Sequence, residues 1–235
     1  MKLILLLVTG LLSQNLFAED GGKSGVDAFH FLNVSNPAVV VSALDKFSAS
    51  SCRKNLPADV LLLAEQINGS QTSTHFIIVS YDKTSDFQKA QKLLSTCPEG
   101  RTMMQEIASG ADRVSESLIM PVIEVGDSGK DGVFIKYDIK TSNEADYAAA
   151  WTELMESNVA AGTMTGSYGI NRVFVGNDKA SHFVYIGASD FATLAANQVT
   201  LNSSPEFSKF AKRVGGLRDV INTSLLFPVK SWPRQ

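Results

Sequence analysis

The residues best suited to acid–base chemistry in this chain are its three histidines, His30, His75 and His182. An imidazole titrates near neutral pH, so each could accept or donate a proton or bind a metal ion. His75 and His182 are 107 positions apart and each opens an apolar run, which indicates equivalent places in two similar segments. We keep His75 and His182 as candidate catalytic residues. The alternative is a structural role for both, in which the ring bonds a backbone group at the start of a strand.

A second group of candidates lies in and near the apolar stretch that begins at Tyr168. Asn171 and Arg172 interrupt its apolar pattern, and a guanidinium there could orient an anionic or carbonyl group of a ligand. Tyr168 and, on a later apolar run, Tyr185 could stack on an aromatic ligand. These four residues form the predicted ligand-binding set. The alternative is that Arg172 faces solvent or pairs with Glu65, which lies 107 positions earlier.

The sequence carries none of the familiar catalytic or metal-binding signatures. Its Cys, His, Asp and Glu residues do not have the spacing of a metal site. The segment 166–169 lacks the form of a nucleophile elbow. The glycines before Lys130 are too close together for a phosphate-binding loop, and no Ser or Thr follows that lysine. We therefore predict no metal and no cofactor.

The composition is that of a globular protein with enough apolar material for a core. Of the 235 residues, 44% are hydrophobic and 19% are charged, and the formal net charge is −3. A chain of this charge has no basic surface to offer a phosphate backbone. We therefore predict that nucleic acid is not a partner.

The first 18 residues have the pattern of a secretory signal peptide. Lys2 is followed by an apolar run from Leu3 to Leu12, and the small residue Ala18 precedes Glu19. The run is shorter than the roughly 20 apolar residues that a membrane-spanning helix needs. We expect cleavage after Ala18, export to a bacterial periplasm or the cell exterior, and a mature chain without a membrane span.

An internal duplication organises the rest of the chain. The segment from Thr74 to Val122 recurs from Ser181 to Val229, with its histidine and its Pro-Glu and Pro-Val pairs at one offset of 107 positions. A single offset over this length is the signature of a repeat. The predicted divisions are a signal peptide (1–18), a flexible leader (19–26), repeat one (27–125), a linker (126–132) and repeat two (133–232).

Each repeat is predicted to contain the elements β-α-β-β-α-β. Asn36 before Pro37 marks the start of the first helix in repeat one, and Asn143 is the matching cap in repeat two. This is the ferredoxin-like unit, in which two helices cover one face of a four-stranded antiparallel sheet. The other face is also apolar and needs a partner, which the second repeat supplies. The predicted fold is therefore α+β, with two tandem ferredoxin-like repeats closing one barrel inside a monomer that is an internal pseudo-dimer.

The two cysteines, Cys52 and Cys97, both lie in repeat one, and Val159 and Ser204 occupy the matching positions of repeat two. An even pair in an oxidising compartment predicts a disulfide. In the ferredoxin-like topology the end of the first helix lies near the start of the second, which brings these cysteines together. Two free thiols are the alternative.

Three stretches of repeat two, namely 166–173, 181–186 and 203–207, resemble the dimeric α/β-barrel superfamily. Its relatives include antibiotic-biosynthesis monooxygenase-like, EthD-like and NIPSNAP-like domains. The resemblance covers nearly the whole mature chain, twice, and implies the barrel architecture. Members include cofactor-free monooxygenases, haem enzymes, isomerases and proteins of unknown reaction, so it implies no single activity. Haem-binding relatives ligate iron through a histidine on a helix, whereas the histidines here lie on predicted strands.

The sequence leaves two functions open. The first is an exported module that binds a small, largely apolar or aromatic molecule between its two sheets. The second is a cofactor-independent, monooxygenase-like enzyme that acts on a small aromatic substrate. Whatever is specific to this protein should lie where the repeats differ. The differing pairs are Glu65/Arg172, Leu44/Trp151, Ile78/Tyr185 and the two cysteine positions.

Overall fold

The computed structural model of the protein describes residues 25–177 and 179–235. The predicted signal peptide (1–18) and most of the predicted leader lie outside these residues. Among the helices that the structure does describe, none combines the length and the apolar character needed to cross a bilayer.

The order of elements repeats once along the described chain. The elements are β1 (Val26–Val34), α1 (Pro37–Ser48), β2 (Asp59–Ile67), β3 (His75–Tyr81), α2 (Thr84–Thr96), α3 (Pro98–Gly110), β4 (Ala111–Val125), β5 (Val133–Thr141), α4 (Glu144–Ala160), β6 (Tyr168–Val175), β7 (His182–Ala188), α5 (Phe191–Ser203), α6 (Pro205–Val214) and β8 (Arg218–Trp232). The second helical region of each repeat is divided into two helices. The division falls just before Pro98 and Pro205, because a proline disfavours helical conformation in the residue before it and suits the first position of a new helix.

The first helix of each repeat begins where the sequence predicts. Asn36 accepts a hydrogen bond from the backbone N–H of Val39, and Asn143 accepts one from that of Asp146. Each cap satisfies a backbone donor that the first turn of a helix leaves without a partner. The caps therefore fix α1 and α4 at equivalent places against the sheet.

The eight described strands close into one barrel in the order β1-β3-β2-β8-β5-β7-β6-β4. All neighbours are antiparallel. The repeats join along two seams, because β4 pairs with β6 and β8 pairs with β2. The fold predicted from the sequence, an α+β barrel built from two ferredoxin-like repeats of one chain, is confirmed.

The offset of 107 positions between the repeats does not hold on β2, where it is 108. His75 pairs with Ala64 on β2, whereas its counterpart His182 pairs with Arg172 on β6. Arg172 therefore corresponds to Ala64, and the predicted equivalence of Arg172 and Glu65 is wrong by one residue. A shift of one residue moves a side chain to the other face of a sheet. Glu65 points into the barrel, while Arg172 lies on the outer face.

Buried apolar side chains of the described chain form three clusters. The first fills the centre of the barrel and consists of Phe29, Leu63, Phe76, Ile119, Phe134, Phe183 and Leu226. The other two lie between the barrel wall and the helices, one in each repeat.

Candidate functional site

The structure does not bring the four predicted ligand-binding residues together. Tyr168 and Arg172 lie on the outer face of β6, and Asn171 lies on the inner face. Tyr168 is buried in the helix-covered core of repeat two. Tyr185 points inward from β7 and packs on the aromatic cluster in the barrel. The set is therefore split between two sides of the barrel wall.

Arg172 and His182 share one carboxylate, that of Glu144 at the start of α4. His182 Nε2 lies 2.7 Å from Glu144 Oε2, and the Arg172 guanidinium binds both carboxylate oxygens. Hydrogen bonds from Arg172 and then His182 lower the pKa of Glu144 to about 2. The three side chains tie β6 and β7 to α4, which is a structural role.

The other predicted catalytic histidine, His75, has a matching local contact. Its Nδ1 lies 3.0 Å from the hydroxyl of Thr74, as Nδ1 of His182 lies 2.9 Å from that of Ser181. Burial lowers the pKa of His75. Both rings bond the side-chain hydroxyl of the preceding residue at a strand start, and not the backbone group that the structural alternative expects.

Three charged residues lie inside the barrel, each less than a tenth exposed: Glu65, which the sequence singles out only as a possible partner of Arg172, and Lys136 and Asp138, which sequence reasoning missed. Lys136 Nζ lies 2.6 and 2.7 Å from the two carboxylate oxygens of Asp138. Glu65 accepts a hydrogen bond from Ser73, and its Oε1 has no partner among the described residues. Burial raises the pKa of Glu65. We call these three residues the barrel charge cluster.

The barrel charge cluster occupies only one half of the barrel. Strand pairing places Phe29 and Phe31 of β1 where Lys136 and Asp138 lie on β5, and Val173 of β6 where Glu65 lies on β2. In the sequence, the charges of β5 alternate with apolar residues, which is also the pattern of a strand with one solvent-facing side. That is why the sequence gives no warning that they are buried.

A cavity of about 880 Å³ lies outside the barrel, between its wall and the helices of repeat one. It is partly open to solvent, and its mainly apolar lining comes mostly from β1, β3 and β4 on one side and from α1, α2 and α3 on the other. The helices contribute Leu44, Phe47, Leu94, Met103 and Ile107, among others. We call this space the first-repeat cavity.

The corresponding layer of repeat two is filled by larger side chains. Tyr147, Trp151, Met155 and Phe210 are all buried there. The residues at the same places in repeat one, 107 positions earlier, are Val40, Leu44, Ser48 and Met103. Interiors pack to nearly constant density, so a set of smaller side chains on an unchanged backbone leaves space. The cavity therefore follows from the sequence differences between the repeats.

His30, Arg113 and Glu116 form a polar group in the lining of the first-repeat cavity. His30 on β1 pairs with Glu116 on β4 in the ladder, and its Nδ1 lies 2.9 Å from Glu116 Oε1. Arg113 donates to the other oxygen of the same carboxylate. A carboxylate on Nδ1 leaves Nε2 as the nitrogen that can exchange a proton with a ligand.

One feature of the sequence marks this group as specific to repeat one. His30 and Glu116 correspond to Tyr137 and Thr223 in repeat two, so both positions differ between the repeats. The two residues are 86 positions apart, and no local motif joins them. Only the strand pairing of β1 with β4 does so.

A second cavity, of about 1010 Å³, lies at the mouth of the barrel and is lined by polar and apolar residues in about equal measure. Several carboxylates in its lining are engaged in the fold. Asp59 binds Arg234, and Asp131 accepts hydrogen bonds from the backbone N–H and the hydroxyl of Ser167. Tyr185 also lines this mouth, where burial and then the charge of Glu124 raise its pKa.

Cys52 and Cys97 form a disulfide, with Cα atoms 6.4 Å apart. Cys52 lies in the turn after α1, and Cys97 is the single residue between α2 and α3. The bond therefore joins the helices that cover the first-repeat cavity.

Comparisons with known proteins find similarity in structure only. The chain matches no family model and no curated protein sequence. A proposed monooxygenase from Lactobacillus acidophilus NCFM superposes with a TM-score of 0.60 at 10% identity, covering 89% of this chain and 96% of the other. An anthrone oxidase-like protein superposes with a TM-score of 0.57 at 7% identity, covering 88% and 92%.

A further structural neighbour is a mutant chlorite dismutase from Candidatus Nitrospira defluvii, with a TM-score of 0.54 at 12% identity. The match covers 88% of this chain and 92% of the other. At such identities the similarity concerns the fold and carries no activity with it. It extends over both repeats in each case.

Proposed function

The chain has the dimeric α/β-barrel fold, and we propose that it binds a small, largely apolar or aromatic molecule in the first-repeat cavity. The observation that carries the proposal is the cavity itself, about 880 Å³ of mainly apolar space. Small-molecule sites are typically concave, apolar and roughly 300–1,000 Å³ in volume. The equivalent layer of repeat two holds larger buried side chains, such as Trp151 and Phe210, so we assign the space to one repeat and not to the fold.

The location differs from the one that the sequence suggests, which is between the two sheets. The centre of the barrel is occupied by Phe29, Phe76 and Phe183 with their apolar neighbours. A ligand there would have to displace a packed aromatic cluster, whereas the first-repeat cavity needs no such rearrangement. The proposed site therefore lies outside the barrel wall.

The polar group of the cavity defines how a ligand would be oriented. His30 and Glu116 provide one point of hydrogen bonding in a mainly apolar lining that also contains Gln91 and Ser95. A few convergent polar groups in an apolar site fix orientation and give specificity. The ligand class is thus a compact apolar or aromatic molecule with a hydroxyl or carbonyl group at one end.

The test is binding of the neutral apolar fluorophore N-phenyl-1-naphthylamine to the purified mature chain. We expect saturable binding with one site. The double substitution Leu44→Trp and Met103→Phe copies the side chains of repeat two and should weaken binding about tenfold or more, because the probe loses its space. Leu44→Met, which conserves volume, is the matched control and should leave binding unchanged. Undiminished binding in the filled variant would reject the first-repeat cavity as the site.

The alternative function is a cofactor-independent, monooxygenase-like activity on a small aromatic substrate. Two observations favour it: His30 is held by Glu116 beside the cavity, and two structural neighbours are a proposed monooxygenase and an anthrone oxidase-like protein. His30 Nε2 would accept a proton from an activated aromatic substrate, and the carbanion would react with O₂. For an anthrone, the balanced outcome is one quinone and one water per O₂ consumed.

Oxygen uptake with anthrone as substrate tests this alternative. We expect uptake by the mature chain and at least a roughly hundredfold loss in His30→Gln, the usual scale for removing a general base. His75→Gln is the matched control and should retain activity, because His75 bonds Thr74 away from this polar group. Equal rates in His30→Gln and the parent chain would remove His30 from the mechanism.

We also propose that the protein is exported to the periplasm or the cell exterior. The pattern of residues 1–18 supports this, and so does the Cys52–Cys97 disulfide, since such bonds persist in oxidising compartments. Fractionation of a bacterial host followed by mass measurement is the test. The expected product lies outside the cytoplasm and begins at Glu19; a cytoplasmic product that retains residues 1–18 would reject export.

A further inference from the structure

We propose that the Cys52–Cys97 disulfide is a redox-sensitive latch on the first-repeat cavity: it slows ligand release when oxidised and permits fast release when reduced. The inference rests on the proposed function, since it assigns regulation to the same cavity. Three features support it: the position of the bond, the side chains that α2 and α3 bury, and the residues that repeat two has at the two cysteine positions.

The bond joins two of the segments that cover the cavity, the turn after α1 and the junction between α2 and α3. Phe47 and Leu56, which lie on either side of Cys52 in the chain, line the cavity, as do Leu94 and Met103 on either side of Cys97. The corner formed by the end of α2, Cys97 and the start of α3 is thereby tied to the turn after α1. We call it the α2–α3 corner.

Of the helices over the cavity, α2 and α3 hold their large apolar side chains only partly buried against the core, among them Phe87, Leu94 and Met103. The buried residues of α2 and α3 are Ala90, Gly100 and Gly110, none of which has a large side chain. The equivalent helices of repeat two, α5 and α6, bury Leu194, Leu201, Phe210 and Val214. Burial of large apolar side chains is the main force that fixes a helix on a sheet. In repeat one that force is reduced by the cavity.

Repeat two shows the same corner without a covalent bond. At the offset of 107, Val159 in the last turn of α4 and Ser204 correspond to Cys52 and Cys97, and large side chains such as Trp151 fill the core of that repeat. The disulfide thus occurs in the repeat that has the cavity. It holds in place a corner that packing holds in the other repeat.

The opposite end of α3 is fixed independently of the disulfide. The carbonyl of Gly110 accepts hydrogen bonds from the backbone N–H groups of Ser35 and Asn36. A Cβ on Gly110 would lie 2.9 Å from a side-chain atom of Val39, so α3 and α1 approach closely there. With the disulfide open, the α2–α3 corner is free to lift while this end acts as the hinge.

The chemistry is ordinary thiol–disulfide exchange with a dithiol reductant. Cys52 is partly exposed and Cys97 is 6% exposed, so a thiolate of the reductant attacks Cys52 Sγ and the Cys97 thiolate leaves. The second thiol of the reductant then breaks the mixed disulfide. Two cysteine thiols and one oxidised dithiol result, with two electrons and two protons transferred to the protein.

The experiment measures the dissociation rate of N-phenyl-1-naphthylamine from the oxidised and the dithiothreitol-reduced mature chain. We expect dissociation about tenfold faster after reduction, because changes at a binding site act mainly on the off-rate. Cys52→Ser/Cys97→Ser should show the fast rate with or without reductant. Leu44→Trp/Met103→Phe, which fills the cavity, controls for the location of the probe.

Hydrogen exchange on the same samples distinguishes local opening of α2 and α3 from a loss of stability throughout the chain. Reduction should deprotect amides of α2 and α3 and leave those of α5 and α6 unchanged. Equal dissociation rates in both redox states, with the filled variant still unable to bind, would reject the latch and keep the cavity. Loss of protection throughout the chain on reduction would also reject it. Probe binding by the filled variant would instead overturn the proposed site.

Discussion

At the scale of single residues, the two repeats differ in the size of the side chains that α1 and α4 pack against the barrel. Trp151 fills the layer under α4 and is 4% exposed, whereas Leu44 at the same place in α1 lines the first-repeat cavity. The two residues occupy equivalent positions in the first helix of each repeat, and the difference between them is one of side-chain size. A few substitutions should therefore move a cavity from one repeat to the other.

Trp151→Leu is predicted to open a cavity in repeat two and to lower the free energy of unfolding by about 2–4 kcal/mol, the usual scale for a large core truncation. Urea denaturation measures the loss, and probe titration should then report a second binding site. The swap Leu44→Trp/Trp151→Leu should keep one site but place it in repeat two. A stability change within measurement error for Trp151→Leu would contradict the packing described for that residue.

Glu144 gives a prediction about pH. Its pKa falls from 4.5 to about 2, chiefly through hydrogen bonds from Arg172. A carboxylate whose pKa is lowered on folding stabilises the protein above its unfolded pKa, and this contribution is lost as pH falls through the folded pKa. Glu144→Gln should therefore reduce stability above pH 5 by at most about 2 kcal/mol, allowing for solvent screening. It should also flatten the acid limb between about pH 4.5 and 2.

Urea denaturation from pH 2 to 7 is the measurement for Glu144→Gln. Glu156→Gln, at an exposed position of the same helix, is the control and should leave the curve unchanged. An acid limb identical to that of the parent chain would show that the contacts of Glu144 with Arg172 and His182 contribute nothing in solution.

At the scale of elements, the position of the Tyr185 ring on β7 depends on a glycine of the neighbouring strand β6, Gly169. A Cβ on Gly169 would lie 2.6 Å from the Tyr185 ring and 2.5 Å from the carbonyl oxygen of Ile123 on β4. The Ile123 oxygen cannot retreat because it is backbone in a paired strand, and the Tyr185 ring would have to shift from its partly buried place against the barrel cluster. Because Gly169 has no side chain, β6 can lie in contact with both the Ile123 carbonyl of β4 and the Tyr185 ring of β7.

Gly169→Ala is accordingly predicted to lower the free energy of unfolding by about 1–3 kcal/mol, the cost of overpacking a filled interior. Thermal and urea denaturation measure it. Gly216→Ala is the matched control, since a Cβ there meets nothing within 4 Å, and it should change stability by less than about 0.5 kcal/mol. Equal effects of the two substitutions would mean that the Tyr185 contact is not rigid.

Most of the element boundaries could be predicted from the sequence. Apolar runs and turn residues predict β2 at both ends, and Asn36 before Pro37 predicts where α1 begins. The start of β4 is harder: the sequence indicates Val114, whereas the strand begins at Ala111. Its first residues are polar and become a strand because they pair with the end of β1. Pairing of that kind is a tertiary property with no local signal.

The site was less predictable, for two physical reasons. The one-residue change of offset on β2 reverses which face a side chain occupies, and it depends on the pairing with β3 and β8. A cavity also leaves no motif, because it arises from side chains that are smaller than their counterparts. The pair Leu44/Trp151 directs attention to the tryptophan, yet the space lies beside the leucine.

At the scale of the whole molecule, duplication lets the two repeats carry different interiors in one barrel. Repeat two contributes Lys136 and Asp138 to the barrel charge cluster, and repeat one contributes Glu65. The charge of Lys136 offsets part of the effect of burial on the Glu65 carboxyl, whose pKa is nevertheless raised. A barrel built from two copies of repeat one would contain two such carboxyl groups and no lysine to offset them.

Residues 27–125 alone are therefore predicted to form a homodimer, with β4 of each copy pairing with β2 of the other as β4 and β6 pair in the full chain. Both copies of Glu65 would be buried, and burial favours the protonated form. A carboxyl group whose pKa is raised on association stabilises the dimer at low pH, and this stabilisation is lost as pH rises through the raised pKa. The dimer should thus be strongest near pH 4–5 and weaken towards neutrality.

Sedimentation equilibrium of this fragment from pH 4 to 8 measures the effect. Glu65→Val places in repeat one the residue that repeat two has at the same inward position, Val173, and should make dimerisation independent of pH. The full chain, in which Lys136 lies inside the same barrel, should sediment as a monomer throughout. A parent fragment whose dimer strengthens towards pH 8 would show that Glu65 does not face the interior of a closed barrel.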